Sequence, residues 1–194
     1  RTKETFSPPR VRTPWSPSDW TALFCIAGVS GFSYANYYLF STFLNGFLPL
    51  ICPMTLQEAV SLNTLLLAID LILVPCVGWL SFHVAKERLL LAAALMGACL
   101  TCPLFLLLPG AGSWLVAAVR LAFTLMTVCL AAPYHAWALE IVPPEKRSLI
   151  CSMGSALGGR VIGAPIPALA LWLYHKTGWA GAPALPLVAS ALLA

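Results

Sequence analysis

Residues 62–108 read LNTLLLAIDLILVPCVGWLSFHVAKERLLLAAALMGACLTCPLFLLL. The stretch consists of two apolar runs separated by a short turn that contains Lys86 and Arg88. Each run is long enough to cross a hydrocarbon layer of about 30 Å as a helix that rises about 1.5 Å per residue. Because backbone groups in lipid need hydrogen-bond partners within the protein, such runs favour helices. The stretch therefore predicts two membrane-spanning helices joined by a basic turn.

The rest of the chain repeats this pattern of apolar runs and short turns. Residues 1–20 are rich in Pro, Ser and Arg and are predicted to form a linker that need not be structured. We predict an all-α fold, a polytopic transmembrane helical bundle, over residues 21–194. The predicted spans are residues 21–48, 61–82, 88–108, 113–139, 149–173 and, in part, 181–194.

The composition excludes an ordinary soluble domain. Hydrophobic residues make up 60% of the chain and charged residues 9%, and the mean hydropathy is +0.86. The net charge of +4 is dispersed over three loops rather than gathered into a stripe, so we do not expect nucleic-acid binding. The lipid bilayer is the solvent that this composition matches.

The basic residues predict the orientation of the bundle. Eight of the eleven Lys and Arg residues lie in alternate gaps between the apolar runs. Under the positive-inside rule these gaps are cytoplasmic. We therefore expect a multi-pass protein of the cell membrane with the N-terminus of this chain in the cytoplasm. The chain begins without Met and ends inside an apolar run, so we expect a fragment of a longer protein. The eight residues are Arg1, Lys3, Arg10, Arg12, Lys86, Arg88, Lys146 and Arg147.

Asp70, Arg120 and Arg160 are charged residues inside the predicted spans, where an unpaired charge is expensive. Asp70 stands in the middle of the second span, and it predicts either a proton or cation site or a structural ion pair. Arg120, Thr124 and Thr127 form a polar stripe at helical spacing on the fourth span. That stripe is typical of a helix that lines an aqueous cavity. Arg120 needs a counter-charge, which is either Asp70 or an anionic ligand.

The first span carries a second polar face. Tyr34, Tyr38, Ser41 and Asn45 recur at helical spacing. Aromatic rings with hydroxyl tips can hold a zwitterion or a quaternary ammonium by cation–π contact. Packing at a helix interface or in an interfacial belt is the alternative interpretation.

The fifth span is rich in small residues, which allow helices to approach closely in lipid. They are Gly154, Ser155, Gly158, Gly159 and Gly163.

Nothing in the sequence indicates an enzyme. It contains no Ser/His/Asp arrangement, P-loop or dinucleotide-binding glycine motif. His135 has no second His or Cys at a spacing that would bind a metal, so it is either an ordinary hydrogen-bonded residue or part of a proton relay. We predict no catalytic residue, no metal and no cofactor.

Three segments carry a resemblance to a known family. Residues 138–148, ALEIVPPEKRS, resemble the acidic-x-x-Pro-x-x-x-Arg signature between the tenth and eleventh helices of major facilitator transporters. Residues 36–44, NYYLFSTFL, are similar to the seventh helix of the metabolite:proton symporter family, which includes proline/betaine, citrate and α-ketoglutarate carriers. Residues 78–81, GWLS, resemble the start of its loop after helix eight. That loop continues here without the family's acidic residue.

The resemblance implies the C-terminal six-helix half of a twelve-helix carrier, with its last helix truncated and its N-terminal half missing. It implies symport of a small polar metabolite or osmolyte with protons by alternating access. A membrane fragment without transport activity, or a half-transporter that binds a partner, is the alternative, and a channel is a third. The expected roles are substrate binding for Tyr34, Tyr38, Asn45, Thr124 and Thr127, a proton-coupled charge pair for Asp70 and Arg120, and a gate for Glu140 and Arg147.

Overall fold

The computed structural model of the protein describes residues 14–194, and this part of the chain is helical, without a strand. Most of the predicted linker lies outside the described residues, including Arg1, Lys3, Arg10 and Arg12. The helices are α1 (Pro17–Tyr38), α2 (Leu44–Ile51), α3 (Leu56–Leu80), α4 (Lys86–Leu106), α5 (Ser113–Glu140), α6 (Arg147–Leu157), α7 (Ile166–Thr177) and α8 (Leu185–Leu193). A π-helical segment (Leu39–Phe43) joins α1 to α2, another (Gly158–Gly163) follows α6, and a 3-10 turn (Ala182–Ala184) precedes α8.

Four helical stretches are long and apolar enough to cross a membrane: α3, α4, α5 and the combined stretch Arg147–Thr177. The predicted spans at 61–82, 88–108, 113–139 and 149–173 are thus confirmed as apolar helices of sufficient length. The predicted span 21–48 is helical too, but its Tyr and Asn residues make it more polar than these four. The last helical stretch, Ala182–Leu193, is apolar and shorter. This architecture is compatible with a multi-pass membrane protein.

Local sequence signals set the helix boundaries. Ser16 and Asp19 form a capping box at the start of α1, in which the Asp19 carboxylate accepts the Ser16 backbone N–H at 2.7 Å. Thr55 and Glu58 do the same for α3, with 2.7 Å between the Thr55 nitrogen and the Glu58 carboxylate. Gly178 ends α7 in the left-handed conformation, with φ of 64°, which favours glycine.

Helix α5 lies at the centre of the bundle and α3 at its edge. In the most apolar window of α5, 39% of residues are buried, against 6% in α3. Aromatic stacking joins the first helix to α5, since the rings of Phe40 and Phe123 lie 3.7 Å apart between centroids. The outer surface of α3 is therefore left to lipid or to another protein segment.

The small residues of the fifth span form the close helix contact that was predicted. A Cβ added to Gly154 would lie 2.6 Å from the Ile26 side chain, and one added to Gly158 would overlap Ser30 and the Ala27 backbone. Ser30 Oγ also donates to the Gly154 carbonyl at 3.3 Å. Helix α1 and the Arg147–Thr177 stretch are thus packed backbone against backbone, which fixes one side of the bundle.

Candidate functional site

A half-open cleft lies between the first helix, α3 and α5. It combines two ionisable side chains with hydroxyl, amide, aromatic and leucine groups. Its lining residues are Tyr37, Phe40, Ser41, Asn63, Leu66, Leu67, Asp70, Arg120, Thr124 and Thr127.

Arg120 forms the inner wall of the cleft and is only 3% exposed. Its Nη1 donates to the Ala59 carbonyl at 2.9 Å, and its Nη2 donates to the Phe40 carbonyl at 3.2 Å and to Asn63 Oδ1 at 2.5 Å. These acceptors belong to the π-helical segment after α1 and to α3. The guanidinium on α5 therefore ties together the three elements that enclose the cleft.

The predicted ion pair between Arg120 and Asp70 is not formed, although both residues line the cleft. A guanidinium has five N–H donors, and neutral oxygens satisfy three of them here. A neutral acceptor avoids removing a second full charge from water, which is the main cost of a buried ion pair. Asp70 is left as a partly exposed carboxylate with no ion partner among residues 14–194.

The hydroxyl groups of the cleft all donate to backbone carbonyls of their own helix. Ser41 donates to the Tyr37 carbonyl at 2.6 Å, Thr124 to that of Arg120 at 3.1 Å, and Thr127 to that of Phe123 at 2.9 Å. Each hydroxyl proton is thereby directed back into the helix. The hydroxyl oxygens keep lone pairs, so they can accept hydrogen bonds from a bound molecule.

Two asparagines stand behind the cleft. Asn36 is fully buried, and its Nδ2 donates to Thr127 Oγ1 at 2.8 Å. The Nδ2 of Asn45 donates to the Ser41 carbonyl at 2.6 Å. The side-chain oxygens of both asparagines are buried and have no hydrogen-bond partner among the described residues. Asn36 was not among the predicted site residues, although an amide inside an apolar span is a signal of its own.

The predicted substrate residues divide into two groups. Thr124 and Thr127 line the cleft. Tyr34, Tyr38 and Asn45 do not: Tyr34 is 41% exposed and stacks on Tyr38 with 6.1 Å between ring centroids. Tyr37, which is 47% exposed, supplies the tyrosine of the cleft instead. The i, i+4 spacing identified a polar side of the helix, but on that side Tyr34 lies against Gly159 and Gly163 and not in the cleft.

The charged residues at one end of the bundle, here called the basic end, form two ion pairs. Lys86 at the start of α4 contacts Glu140 at the end of α5, with 2.8 Å between Nζ and Oε1. Lys146 contacts Asp19 at 2.5 Å, and it also donates to the Pro14 carbonyl at 2.7 Å. These pairs tie α4 to α5 and the start of α1 to the turn before α6.

The predicted ion pair between Glu140 and Arg147 is not present, because each side chain has a different partner. Glu140 binds Lys86, and Arg147 Nε donates to the Val142 carbonyl at 3.1 Å. Arg147 is the first residue of α6 and follows the turn that connects α5 to α6. Its guanidinium can therefore donate to a backbone carbonyl that has no partner within a helix after α5 ends. The two predicted gate residues therefore lie in the same turn without contacting each other through an ion pair.

Asp19 is the buried anion of the basic end, with 2% of its side chain exposed. The hydrogen bond from Lys146, followed by the one from the Ser16 backbone N–H, lowers the pKa of this carboxyl. Asp19 therefore stays ionised at neutral pH and holds the Lys146 ammonium against the bundle.

Compared with known proteins, the chain matches no family model, no curated protein and no solved structure.

Proposed function

We propose that the protein is a secondary active transporter that moves a small polar solute together with protons across the cell membrane. One observation carries the proposal, namely that Asp70, in the middle of an apolar helix, lines the cleft and has no ion partner among residues 14–194. A carboxylate at such a depth costs roughly 2.5–3.5 kcal/mol or more unless it faces water or takes up a proton. A group with that property is suited to couple proton uptake to passage of a solute.

The proposed mechanism is alternating access around this cleft. The cleft is open on one side, and Tyr37 and Asp70 are among the side chains that line it. In a major facilitator fold a second six-helix half would cover that side, and rocking of the two halves would expose the cleft to each face of the membrane in turn. Protonation of Asp70 removes the charge that would otherwise resist closure in a dry state.

Glu140 and Arg147 enter this proposal as parts of a gate at the basic end. Glu140 lies within 2.8 Å of Lys86 and only seven residues before Arg147. We propose that Glu140 exchanges Lys86 for Arg147 when the two halves rock. A wet ion pair of this kind contributes about 0–1 kcal/mol, which suits a contact that must break in every cycle.

A membrane protein without transport activity, which binds a partner through its open side, is the second candidate. The commitment of Arg120 to three structural hydrogen bonds favours it, because only Asp70 is then left as an uncommitted charge in the cleft. This candidate predicts that loss of Asp70 leaves partner binding unchanged.

Uptake into vesicles containing the full-length protein tests the proposal. Labelled betaine, proline, citrate and α-ketoglutarate are supplied with and without a pH gradient. We expect gradient-dependent accumulation of at least one solute, and we expect Asp70→Asn to abolish this accumulation. Glu87→Gln is the matched control, since it removes an exposed carboxylate outside the cleft. Absence of gradient-dependent uptake of every solute would contradict symport, and unchanged accumulation by Asp70→Asn would remove Asp70 from the mechanism.

A further inference from the structure

We infer that the cleft binds an organic cation, and specifically an ammonium group that carries N–H donors. The inference rests on the proposed function and names its class of solute. Three features of the cleft point in the same direction: the charge that is accessible, the hydrogen-bonding groups that are left unused, and the aromatic ring at the opening.

The accessible charge of the cleft is negative. Arg120 is 3% exposed and lies behind the wall, where three neutral oxygens hold its guanidinium. Asp70 is more exposed and has no ion partner in the part of the chain that the structure describes. The Lys residues of the two observed ion pairs lie at the basic end, away from the cleft. A cation entering the cleft therefore meets a free carboxylate.

The unused hydrogen-bonding groups of the cleft are mostly acceptors. Ser41 and Thr124 direct their protons to backbone carbonyls, which leaves the lone pairs of their oxygens as acceptors. Thr127 Oγ1 already accepts a hydrogen bond from Asn36 Nδ2. A ligand that carries N–H or O–H donors can hydrogen-bond to these oxygens. A ligand that carries mainly acceptors would place its oxygens against those of the cleft without hydrogen bonds.

The aromatic ring of Tyr37 supplies the third feature. It is 47% exposed and lines the same cleft as Asp70. A cation near the face of a tyrosine ring is stabilised by about 0.5–2 kcal/mol, depending on how dry the site is. The Leu66 and Leu67 side chains line the same cleft and suit the carbon skeleton of an organic ammonium better than a hydrated metal ion.

A carboxylate solute fits the same cleft less well. To form a bidentate pair with it, Arg120 would have to release bonds that hold the π-helical segment and α3 together. The solute would also share the cleft with the Asp70 carboxylate, and two like charges at short range disfavour each other.

Equilibrium binding to the full-length protein in nanodiscs, without any gradient, tests the inference independently of transport. The probes are radiolabelled ethanolamine, choline and glycolate, which share a two-carbon hydroxylated or oxygenated skeleton. Ethanolamine keeps its N–H donors, choline keeps only the charge, and glycolate reverses the charge. We expect ethanolamine to bind about tenfold more tightly than choline, because each N–H donor to a carboxylate adds an interaction in that range, and we expect no specific binding of glycolate.

Asp70→Asn and Glu87→Gln form the matched pair of variants. We expect Asp70→Asn to lose ethanolamine binding, Glu87→Gln to retain it, and acidification to weaken it in the parent protein as protons compete. Size-exclusion and circular dichroism profiles establish that both variants are folded. Tighter binding of glycolate than of ethanolamine, binding that survives in Asp70→Asn, or no binding of any probe would each overturn the inference. Failure of uptake with intact ethanolamine binding would instead count against the proposed function alone.

Discussion

The cleft and the basic end hold their buried charges in different ways. In the cleft, Arg120 is bound by neutral oxygens, and Asp70 has no ion partner in the described part of the chain. At the basic end, the buried Asp19 is bound by Lys146, 2.5 Å away. Each region contains an acidic and a basic side chain, yet only those at the basic end form an ion pair.

The hydrogen bonds of each region explain this difference. At the basic end, the buried Asp19 carboxylate accepts from the Lys146 ammonium and from the Ser16 backbone N–H and hydroxyl, and together these compensate its desolvation. In the middle of a span a second full charge must be desolvated as well, and carbonyl oxygens already present in the helices satisfy a guanidinium without that cost. The interior cation is therefore a structural tie, and the interior acid stays free to bind a proton or a ligand.

The largest effect is expected from Arg120→Leu. The change removes three hydrogen bonds from a charged donor and separates α5 from α3 and from the π-helical segment. We expect the free energy of unfolding to fall by about 3 kcal/mol, because hydrogen bonds to charged groups contribute roughly 1.5–3 kcal/mol each and the relief of desolvation offsets part of the loss. Titration of the detergent-solubilised protein with a denaturing detergent measures it.

Arg88→Leu is the control for this prediction. Arg88 is exposed near the start of α4, outside the cleft, and replacing it is expected to change stability by no more than about 0.5 kcal/mol. Equal destabilisation by both variants would mean that the carbonyl bonds of Arg120 are not what holds the cleft together.

A smaller effect is expected from Gly158→Ala, at the contact that connects the cleft side of the bundle with α6. The added methyl group would overlap Ser30 and the Ala27 carbonyl and would lie 2.6 Å from the Gly31 nitrogen. Two backbones would have to separate, at a cost of about 1–3 kcal/mol. Gly78→Ala is the matched control on α3, where nothing lies within 4 Å of the added atom. There we expect stabilisation of up to about 1 kcal/mol from helix propensity, so the two melting temperatures should move in opposite directions.

The fold and the site differ in how far the sequence predicts them. Apolar runs of spanning length and the breaks between them are local properties, so the four apolar helices and their approximate bounds follow directly from residues 61–173. The partners of each charge are not local. Arg120 binds carbonyls of Phe40 and Ala59, which every residue type offers and no side-chain pattern marks. The sequence therefore predicts that Arg120 needs partners. It suggests Asp70, the most conspicuous acidic residue, which is not among the acceptors that Arg120 binds.

The packing of the tyrosines accounts for the remaining difference at the site. Tyr34, Tyr37 and Tyr38 all belong to the regular helix α1, before the π-helical segment begins. Tyr34 lies against Gly159 and Gly163, whereas Tyr37 lines the cleft. Helical spacing identifies residues that share a face, but tertiary packing decides which neighbour that face meets.

The buried ion pair of the basic end is expected to give a pH-dependent effect. The pKa of Asp19 is lowered from its ordinary value of 3.8, chiefly by the hydrogen bond from Lys146. A carboxyl whose pKa is lower in the folded state stabilises the fold above its unfolded pKa, and this stabilisation is lost as the pH falls through the folded value. We expect the melting temperature to fall on acidification below about pH 4.

Asp19→Asn sharpens this prediction. The variant keeps the shape of the side chain but has no titratable group at residue 19, so its melting temperature should fall less steeply over the same pH range and should be lower than that of the parent at neutral pH. Glu145→Gln is the control, because Glu145 is exposed in the turn before α6 and forms neither of the two ion pairs. Identical acid profiles for Asp19→Asn and the parent would show that the contact with Lys146 does not stabilise the fold.

The smallest effect is expected from the wet ion pair between Lys86 and Glu140, of which the Glu140 side chain is 57% exposed. A double-mutant cycle with Lys86→Gln and Glu140→Gln should give a coupling energy of about 0.2–1 kcal/mol that shrinks in high salt. The same cycle with Arg147→Gln in place of Lys86→Gln should give a coupling near zero, because Arg147 Nε donates to the Val142 carbonyl.

Comparison of the two cycles in the resting protein and during solute-driven exchange then tests the proposed gate. If Glu140 changes partners as the bundle rocks, Arg147→Gln should slow exchange without altering the stability of the resting protein. An effect on stability alone would mean that Arg147 only stabilises the start of α6.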